Sequence, residues 1–186
     1  VISSNESSGG TQFSVAKALV RSGEMRQFYE SENTQSDVER KMIAESLERA
    51  GQLGASTKNA EEWLARAQIL VGDLQTAIPT LEAIGARIPN TDVFCALANG
   101  YHLVGDSVKA QQAARWVLDR NPDNVIALLQ LSKLAAAKGD GEGEMKAIER
   151  AIALSPDEPI SQYLLGDAFW RREDHDAAKT AVARAL

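Results

Sequence analysis

The sequence predicts an all-α protein built from antiparallel helix pairs that stack side by side. Two marks recur along the chain and support this fold class. They are the dipeptides Gly72-Asp73, Gly105-Asp106 and Gly139-Asp140, and the prolines Pro89, Pro122 and Pro156. The spacing of both marks is about 34 residues, which is the length of two helices with their turns in a repeat protein. Because one pair cannot bury its apolar stripe alone, neighbouring pairs are expected to stack into a solenoid.

Composition limits the classes of protein that fit. The chain has 186 residues, of which 44% are hydrophobic, enough for a continuous core. Its net charge of −6, without clusters of Lys and Arg, gives no electrostatic reason to expect nucleic acid or an anionic membrane as a partner. The single cysteine, Cys95, excludes an intrachain disulfide. No run of about 18 apolar residues is present, so no transmembrane helix is predicted.

The first 57 residues precede the clear repeats. Residues 1–11 are rich in Ser and Gly and lack the basic start and apolar stretch of a signal peptide, so they are predicted to form a flexible linker. Residues 12–57 are predicted to hold two helices, the first with a kink at Gly23. These helices are interpreted as a degenerate repeat or as a cap that covers the N-terminal surface of the stack.

Four helix pairs are predicted over residues 58–186, with boundaries at 58–90, 91–124, 125–158 and 159–186. In each pair, the glycine is expected to end the first helix in a left-handed conformation, and the aspartate after it to cap the second. The prolines are expected to stop the second helices. Glu173-Asp174 takes the turn position in the fourth pair. In the third pair, the turn is expected to be stretched by the glycine-rich segment at 139–144 and the hairpin to be looser.

The conjunction of these marks resembles the tetratricopeptide repeat (TPR) family. That family's pattern of Leu-Gly, an aromatic, small alanines and proline matches the following residues of this chain: Leu64-Ala65, Leu97-Ala98, Leu131-Ser132, Leu165-Gly166, Tyr101, Phe169, Ala77, Ala110 and Ala178. Glu144 departs from it by replacing the small alanine of the third pair. The resemblance implies a right-handed superhelical solenoid with a concave groove. It also implies a protein-binding scaffold or adaptor rather than an enzyme.

In the resembled family, ligand contacts come mainly from the first helix of each pair. Carried over to this sequence, the partner-binding residues are Glu62, Trp63, Arg66, Asn99, His102, Gln130, Lys133, Tyr163, Asp167 and Trp170, with Ile69, Cys95, Leu129 and Leu164 beside them. Arg66, Asn99 and Lys133 share one position, so they are expected to form a line of exposed donors. An extended peptide or a partner helix presenting carbonyls and a few acidic groups fits such a line.

The tryptophans and one acidic residue refine this expectation. Trp63 and Trp170 are expected to face the groove, since aromatic anchors are enriched at binding surfaces. Trp116 is expected to pack between pairs with partial exposure. Glu62 stands where a clamp for the C-terminal carboxylate of chaperones requires a lysine, and the second asparagine of that clamp is lacking. A chaperone-tail receptor is therefore not expected.

No constellation for catalysis, metal binding or a cofactor is found in the sequence. The segment Asp174-His175-Asp176 is interpreted as a helix start, because its adjacent side chains point apart. The acidic residues at 140–144 lack the spacing of a calcium loop. Cys95 has no histidine and acid arrangement near it in sequence and is interpreted as a buried small residue. The prediction is no catalytic residue, no metal and no cofactor.

Three functional hypotheses stay open at this point. The leading one is a scaffold that holds a peptide or partner helix within a multiprotein assembly, with a bacterial envelope, secretion or maturation apparatus as the expected context. The second is a structural oligomer that stacks through its terminal helices. The third is a regulatory segment of a larger enzyme. The sequence is compatible with the cytoplasm and with the bacterial periplasm, and a tether through residues ahead of Val1 is a further expectation.

Overall fold

The computed structural model describes residues 60–185 and ten isolated helical positions ahead of them. These positions are Ser14, Lys17, Ala18, Val20, Arg21, Glu24, Val38, Lys41, Met42 and Glu45. The linker predicted over residues 1–11 lies outside the described residues. The same holds for the kink predicted at Gly23 and for most of the two helices predicted over residues 12–57.

Helices make up the described part of the chain from residue 60 onward. They are α1 (Ala60–Leu70), α2 (Leu74–Arg87), α3 (Thr91–Leu103), α4 (Ser107–Arg120), α5 (Val125–Lys138), α6 (Gly141–Leu154), α7 (Pro159–Arg171) and α8 (His175–Ala185). Between residues 60 and 185 no strand occurs, so the all-α prediction is confirmed for this segment. Each odd-numbered helix packs against the helix that follows it.

The chain divides into two compact units. The first unit, Val1–Ile88, contains α1 and α2, and the second, Pro89–Leu186, contains α3 to α8. Inside the second unit, α4 packs against α5 and α6 packs against α7, so successive helix pairs stack there. As a division of the chain into domains, the boundaries 58–90, 91–124, 125–158 and 159–186 stay a prediction.

The turns inside the pairs have the geometry that the Gly-Asp dipeptides predict. Gly72, Gly105 and Gly139 adopt positive φ angles of 83°, 81° and 73°. The aspartate after each glycine caps the second helix: the Lys109 backbone N–H donates to Asp106 over 3.0 Å. The equivalent caps are Asp73, Asp140 and Asp174. A left-handed residue followed by a side-chain cap reverses the chain within three residues.

The third turn differs from its expected form. Segment 139–144 does not stretch the turn, because α6 begins at Gly141 and Asp140 accepts its capping bond from the Gly143 backbone N–H over 2.9 Å. The glycine-rich segment is therefore the first turn of α6 and not part of a loop. Two acidic residues in the first turn, Glu142 and Glu144, favour the helix further through its dipole. The expectation of a looser, lengthened turn was therefore wrong.

Glu173 is the position where the fourth turn carries strain. Its φ is +63°, in the left-handed region that glycine occupies in the other three turns. A side chain at such an angle costs about 1–2 kcal/mol. We therefore expect Glu173→Gly to raise the free energy of unfolding by about 1 kcal/mol in urea denaturation. Gly105→Ala is the matched reverse change, because Gly105 has a φ of 81° and an added Cβ would meet no atom there. It is expected to lower the free energy of unfolding by a similar amount. Equal stabilities would contradict this account.

The connections between pairs begin the next helix with a polar cap. Asn90 accepts a hydrogen bond from the Val93 backbone N–H, and Asn124 accepts one from Ala127, both over 2.9 Å. These caps start α3 and α5. α7 begins instead with Pro159 in its first turn, after Glu158, whose side chain makes no capping bond. Pro89, Pro122 and Pro156 lie in the connections, where they end the preceding helices as predicted.

Small residues allow the two helices of a pair to approach closely. Ala77 and Ala110 are fully buried and Ala178 is nearly so. In the fourth pair, a Cβ added to Gly166 would lie 2.7 Å from Cγ2 of Val182, too close for a real contact. Glu144 takes the alanine's place in the third pair and is also buried. Burial raises its pKa, although the nearby Arg171 guanidinium acts in the opposite direction.

Candidate partner-binding surface

The ten residues predicted to bind a partner fall in both compact units. Glu62, Trp63 and Arg66 lie on α1 of the first unit. The other seven lie in the second unit: Asn99 and His102 on α3, Gln130 and Lys133 on α5, and Tyr163, Asp167 and Trp170 on α7. The surroundings of the two groups differ.

Arg66 is buried and engaged within the first unit. Only 8% of its surface is exposed. Its Nε and Nη2 donate to the two carboxylate oxygens of Glu24 over 2.7 and 2.6 Å, and Nη1 donates to Glu62 over 3.4 Å. This bidentate geometry is the strongest form of a side-chain ion pair. The expectation that Arg66 is an exposed donor was therefore wrong, because an acidic residue far away in sequence covers it.

Trp63 is also part of the interior of the first unit. It is 5% exposed, so the expectation that it faces an open groove was wrong. The Arg66 guanidinium lies 4.1 Å from its ring centroid, and the charged ends of Arg21 and Lys17 lie 5.3 and 5.7 Å from it. Cations at such distances are attracted by the face of the indole ring. Trp63 thus holds basic side chains of the first unit in place.

The second unit contains a partly buried basic region on α3 and α5. Lys133 and His102 are both half-buried. Burial lowers the pKa of Lys133, and burial together with the charge of Lys133 lowers the pKa of His102. Gln130 lies one turn before Lys133 on α5, and its buried Oε1 has no hydrogen-bond partner among the described residues. Positive charge that has lost part of its hydration favours an approaching carboxylate or carbonyl oxygen.

The lowered pKa of His102 has a testable sign. In the unfolded chain this imidazole titrates near 6.5, whereas in the folded chain it takes up its proton at a lower pH. Below pH 6.5 the unfolded state therefore binds more protons, so stability falls as the pH drops towards the folded pKa. We expect His102→Gln to lose less stability than the native chain between about pH 7.5 and 5.5, measured by urea denaturation at each pH. Equal losses of stability in His102→Gln and the native chain over this pH range would contradict the lowered pKa of His102.

A groove between α7 and α8 brings together three of the predicted residues. Tyr163, Asp167 and Trp170 line it from α7, and the cavity has a volume of about 420 Å³. Trp170 is 59% exposed, as expected for an aromatic anchor, and its ring centroid lies 4.5 Å from that of His175. The α8 side of the groove consists of Ala178, Lys179, Val182 and Ala183.

The residues that line this groove from α8 are not among the partner-binding residues predicted from the sequence. A signal for them was present, because Ala178 and Val182 form an i, i+4 stripe on one face of a helix. The same stripe positions in α6 are Glu144 and Ile148, and both are buried. Considered alone, such a stripe indicates residues of the hydrophobic core. Because the ligand contacts of the resembled family come mainly from first helices, α8 was not considered as a binding element.

Trp116 and Cys95 are placed within the second unit. Trp116 stacks on Phe94 of α3 with ring centroids 3.7 Å apart, and the Arg120 guanidinium lies 3.8 Å from its ring. It thus packs onto the first helix of its own pair, and its partial exposure agrees with the expectation, whereas the contact between pairs stays a prediction. Cys95 is half-buried, with Sγ 3.8 Å from Oδ1 of Asn124.

The described residues contain neither a metal cluster nor a membrane span. Among residues 60–185 and the ten isolated positions, no group of three or more His, Cys, Asp or Glu side chains is arranged to hold a metal ion. Within that same part of the chain, no helix has the length and apolar character needed to cross a bilayer.

Comparison with known proteins agrees with this architecture. The family model described as "Tetratricopeptide repeat" matches residues 104–159 and 145–186. Residues 104–186 thus match tetratricopeptide repeats. Among curated proteins, none matches this chain significantly. Proteins of this family are generally scaffolds without enzymatic activity, and the fold supports protein–protein interaction.

Solved TPR structures are similar to most of the chain. A thermophilic TPR protein from Thermus thermophilus aligns with a TM-score of 0.73 at 21% identity, over 92% of this chain and 90% of that chain. MamA from Desulfovibrio magneticus aligns with a TM-score of 0.61 at 15% identity, over 95% and 92%. YrrB, a TPR protein with an unusual peptide-binding site, aligns with a TM-score of 0.56 at 17% identity, over 79% and 76%. The predicted TPR-like solenoid of helix pairs is thus confirmed.

Proposed function

We propose that this TPR protein is a scaffold that binds an extended peptide or a partner helix through the polar face of α3 and α5. The observation that supports it is the partly buried basic pair of Lys133 and His102. Asn99 lies one turn before His102 on α3, and Gln130 lies one turn before Lys133 on α5. Asn99, His102 and Lys133 are partly exposed, whereas Gln130 is buried, so the expectation that Gln130 faces a partner was wrong.

The partner chemistry follows from these groups. Burial deprives the Lys133 ammonium of part of its hydration, so an acidic side chain or a row of backbone carbonyls placed beside it replaces that hydration through charge-assisted hydrogen bonds. Peptide binding has a precedent in the fold, since the structurally similar YrrB has a peptide-binding site.

Site-specific crosslinking tests this proposal for a partner of any identity. A photoreactive phenylalanine analogue placed at His102 is expected to capture a partner in cells that express the protein. The same analogue at Lys146, an exposed residue of α6, is the control. Capture at both sites or at neither would contradict the proposal.

Binding of the captured partner is then measured by titration calorimetry. We expect Lys133→Ala to weaken it by about tenfold, because a charge-assisted hydrogen bond in a partly dry site is worth about 1.5–3 kcal/mol. Lys146→Ala is the matched control and is expected to leave it unchanged. An unchanged affinity for Lys133→Ala would show that the partner uses another surface.

The wider context is proposed from the likeness to tetratricopeptide-repeat proteins alone. We infer that the scaffold serves a multiprotein assembly, with a bacterial envelope, secretion or maturation apparatus as the setting. Self-assembly is the alternative, and light scattering after size-exclusion chromatography separates the two: a monomer at all concentrations supports the scaffold, whereas growth with concentration supports the oligomer. Regulation of an attached catalytic domain is the third possibility, which the full reading frame resolves.

A further inference from the structure

The groove between α7 and α8 repeats a surface that is covered one helix pair earlier. Asp140 and Asp174 cap α6 and α8 in the same way, so Ile148 corresponds to Val182 and Leu129 corresponds to Tyr163. Ile148 and Leu129 are completely buried. Val182, in contrast, is 38% exposed, and Tyr163 lines the open groove. In the part of the chain that the structure describes, the same stacking face is thus filled in the third pair and open in the fourth.

A helix covers the earlier surface. α7 packs against α6, with its last turn beside the first turn of α6. Arg171 forms an ion pair with Glu144, and Arg172 donates to the backbone carbonyl of Gly141. The two helices therefore run antiparallel, and the basic last turn of one meets the start of the other. This arrangement shows which shape and charge fill such a groove in this fold.

The charges around the open groove fit the same kind of occupant. Glu173 and Asp174 lie just before α8 and Asp176 lies in its first turn, where its exposed carboxylate forms an ion pair with Lys179 over 3.6 Å. An occupant that lies antiparallel to α8 brings its last turn to this acidic end. Basic residues in that turn complement the acidic end, and the cost of placing them there is low because they stay at the rim.

We propose that the α7–α8 groove binds an amphipathic α-helix of a partner protein, antiparallel to α8, with an apolar stripe on Val182 and Tyr163 and basic residues in its last turn. Trp170 stands at the edge of this groove as an exposed apolar anchor. Aromatic residues in this position exclude water from the contact and commonly contribute most of its energy. The site is separate from the α3–α5 face proposed above, so the two proposals fail or succeed independently.

The probe for this site is a synthetic peptide with the sequence of α7 and the next residue, positions 159–172, labelled with fluorescein. It copies the helix that already covers the equivalent surface. Fluorescence polarisation with the intact protein is expected to show saturable binding. Val182→Asp is expected to weaken it by about tenfold or more, since a charge in the apolar groove is unpaired there. Val108→Asp changes a valine of α4 that is 65% exposed outside the groove and is expected to have no effect.

Two further variants make the result specific. A peptide in which both arginines are replaced by glutamate is expected to bind several-fold more weakly, because its last turn then repels the acidic start of α8. Trp170→Ala removes an exposed side chain and serves as the second groove variant if circular dichroism shows that Val182→Asp is unfolded. Lys133→Ala is expected to leave peptide binding unchanged, which separates this site from the α3–α5 face.

Three outcomes would overturn the proposal. The first is absence of saturable binding by the peptide. The second is equal binding by the native chain, Val182→Asp and Trp170→Ala, which would mean that the peptide binds elsewhere or exchanges with α7. The third is self-association in sedimentation velocity that Val182→Asp abolishes, because a second copy of the chain would then occupy the groove.

Discussion

Replacing Arg66 with alanine is expected to lower the free energy of unfolding of the first compact unit by about 3 kcal/mol. The guanidinium neutralises Glu62, which is almost fully buried, and binds both carboxylate oxygens of Glu24. The substitution takes away the guanidinium that binds both carboxylates in a region of low polarity. Loss of one partner of a buried ion pair costs about 3–5 kcal/mol, and the partial exposure of Glu24 places the value at the lower end.

Arg87→Ala is the matched control for this prediction. Arg87 also pairs with a glutamate of α1, Glu61, over 2.8 Å, but both side chains are mostly exposed. Such surface pairs contribute about 0–1 kcal/mol. Urea denaturation is followed by fluorescence with Trp116 and Trp170 replaced by phenylalanine, so that the remaining tryptophan, Trp63, reports on the first unit. Equal losses for the two variants would show that the Arg66 pair is not buried in solution.

The burial of Arg66 changes how a binding experiment on it must be interpreted. A chain with Arg66→Ala that no longer binds a partner has lost the structure of α1, not a contact with that partner. Lys133 is less deeply buried than Arg66, so its replacement is expected to disturb the fold less. We therefore base the functional test on Lys133 and treat Arg66 as a residue that stabilises the first unit.

The turns of this protein could be predicted from the sequence because their interactions are local. Gly105 and Asp106 act within one turn: the glycine supplies a positive φ and the aspartate accepts from a backbone N–H three residues later. The same reasoning places Asp174 correctly as a cap, even though Glu173 replaces the glycine before it. Interactions that close within a few residues leave a recognisable pattern in the chain.

The environment of the candidate site could not be predicted in the same way. Glu24 lies 42 residues before Arg66, and no pattern in the sequence indicates that they meet. The groove between α7 and α8 depends on side chains from two helices, so a family pattern of first-helix contacts includes Trp170 and omits Val182. The third turn was mispredicted for another reason, since Asp140 caps α6 before the glycines at 141 and 143 can form a loop.

Replacing Ala110 with leucine is expected to lower the free energy of unfolding of the second unit by about 1–3 kcal/mol. Ala110 is completely buried on α4, which packs against both α3 and α5. Extra methylene groups at such a crossing force the helices apart or push side chains out of their preferred rotamers. Ala77, on α2 of the first unit, is also completely buried, and the same change there is expected to have a similar cost.

Ala153→Leu provides the control, since Ala153 is exposed on α6 and leucine is a good helix former. Urea denaturation followed by far-UV circular dichroism, which reports helix content, is expected to show a loss for Ala110→Leu and almost none for Ala153→Leu. Glu144 shows how the prediction could fail. It occupies the equivalent position of α6 and is accommodated because its carboxylate reaches Arg171. A leucine side chain has no polar end that could reach a partner in this way, so it must fit between the helices. An unchanged stability would therefore mean that α4 can shift to make room. It would also mean that the close approach at Ala110 does not determine how the helices stack.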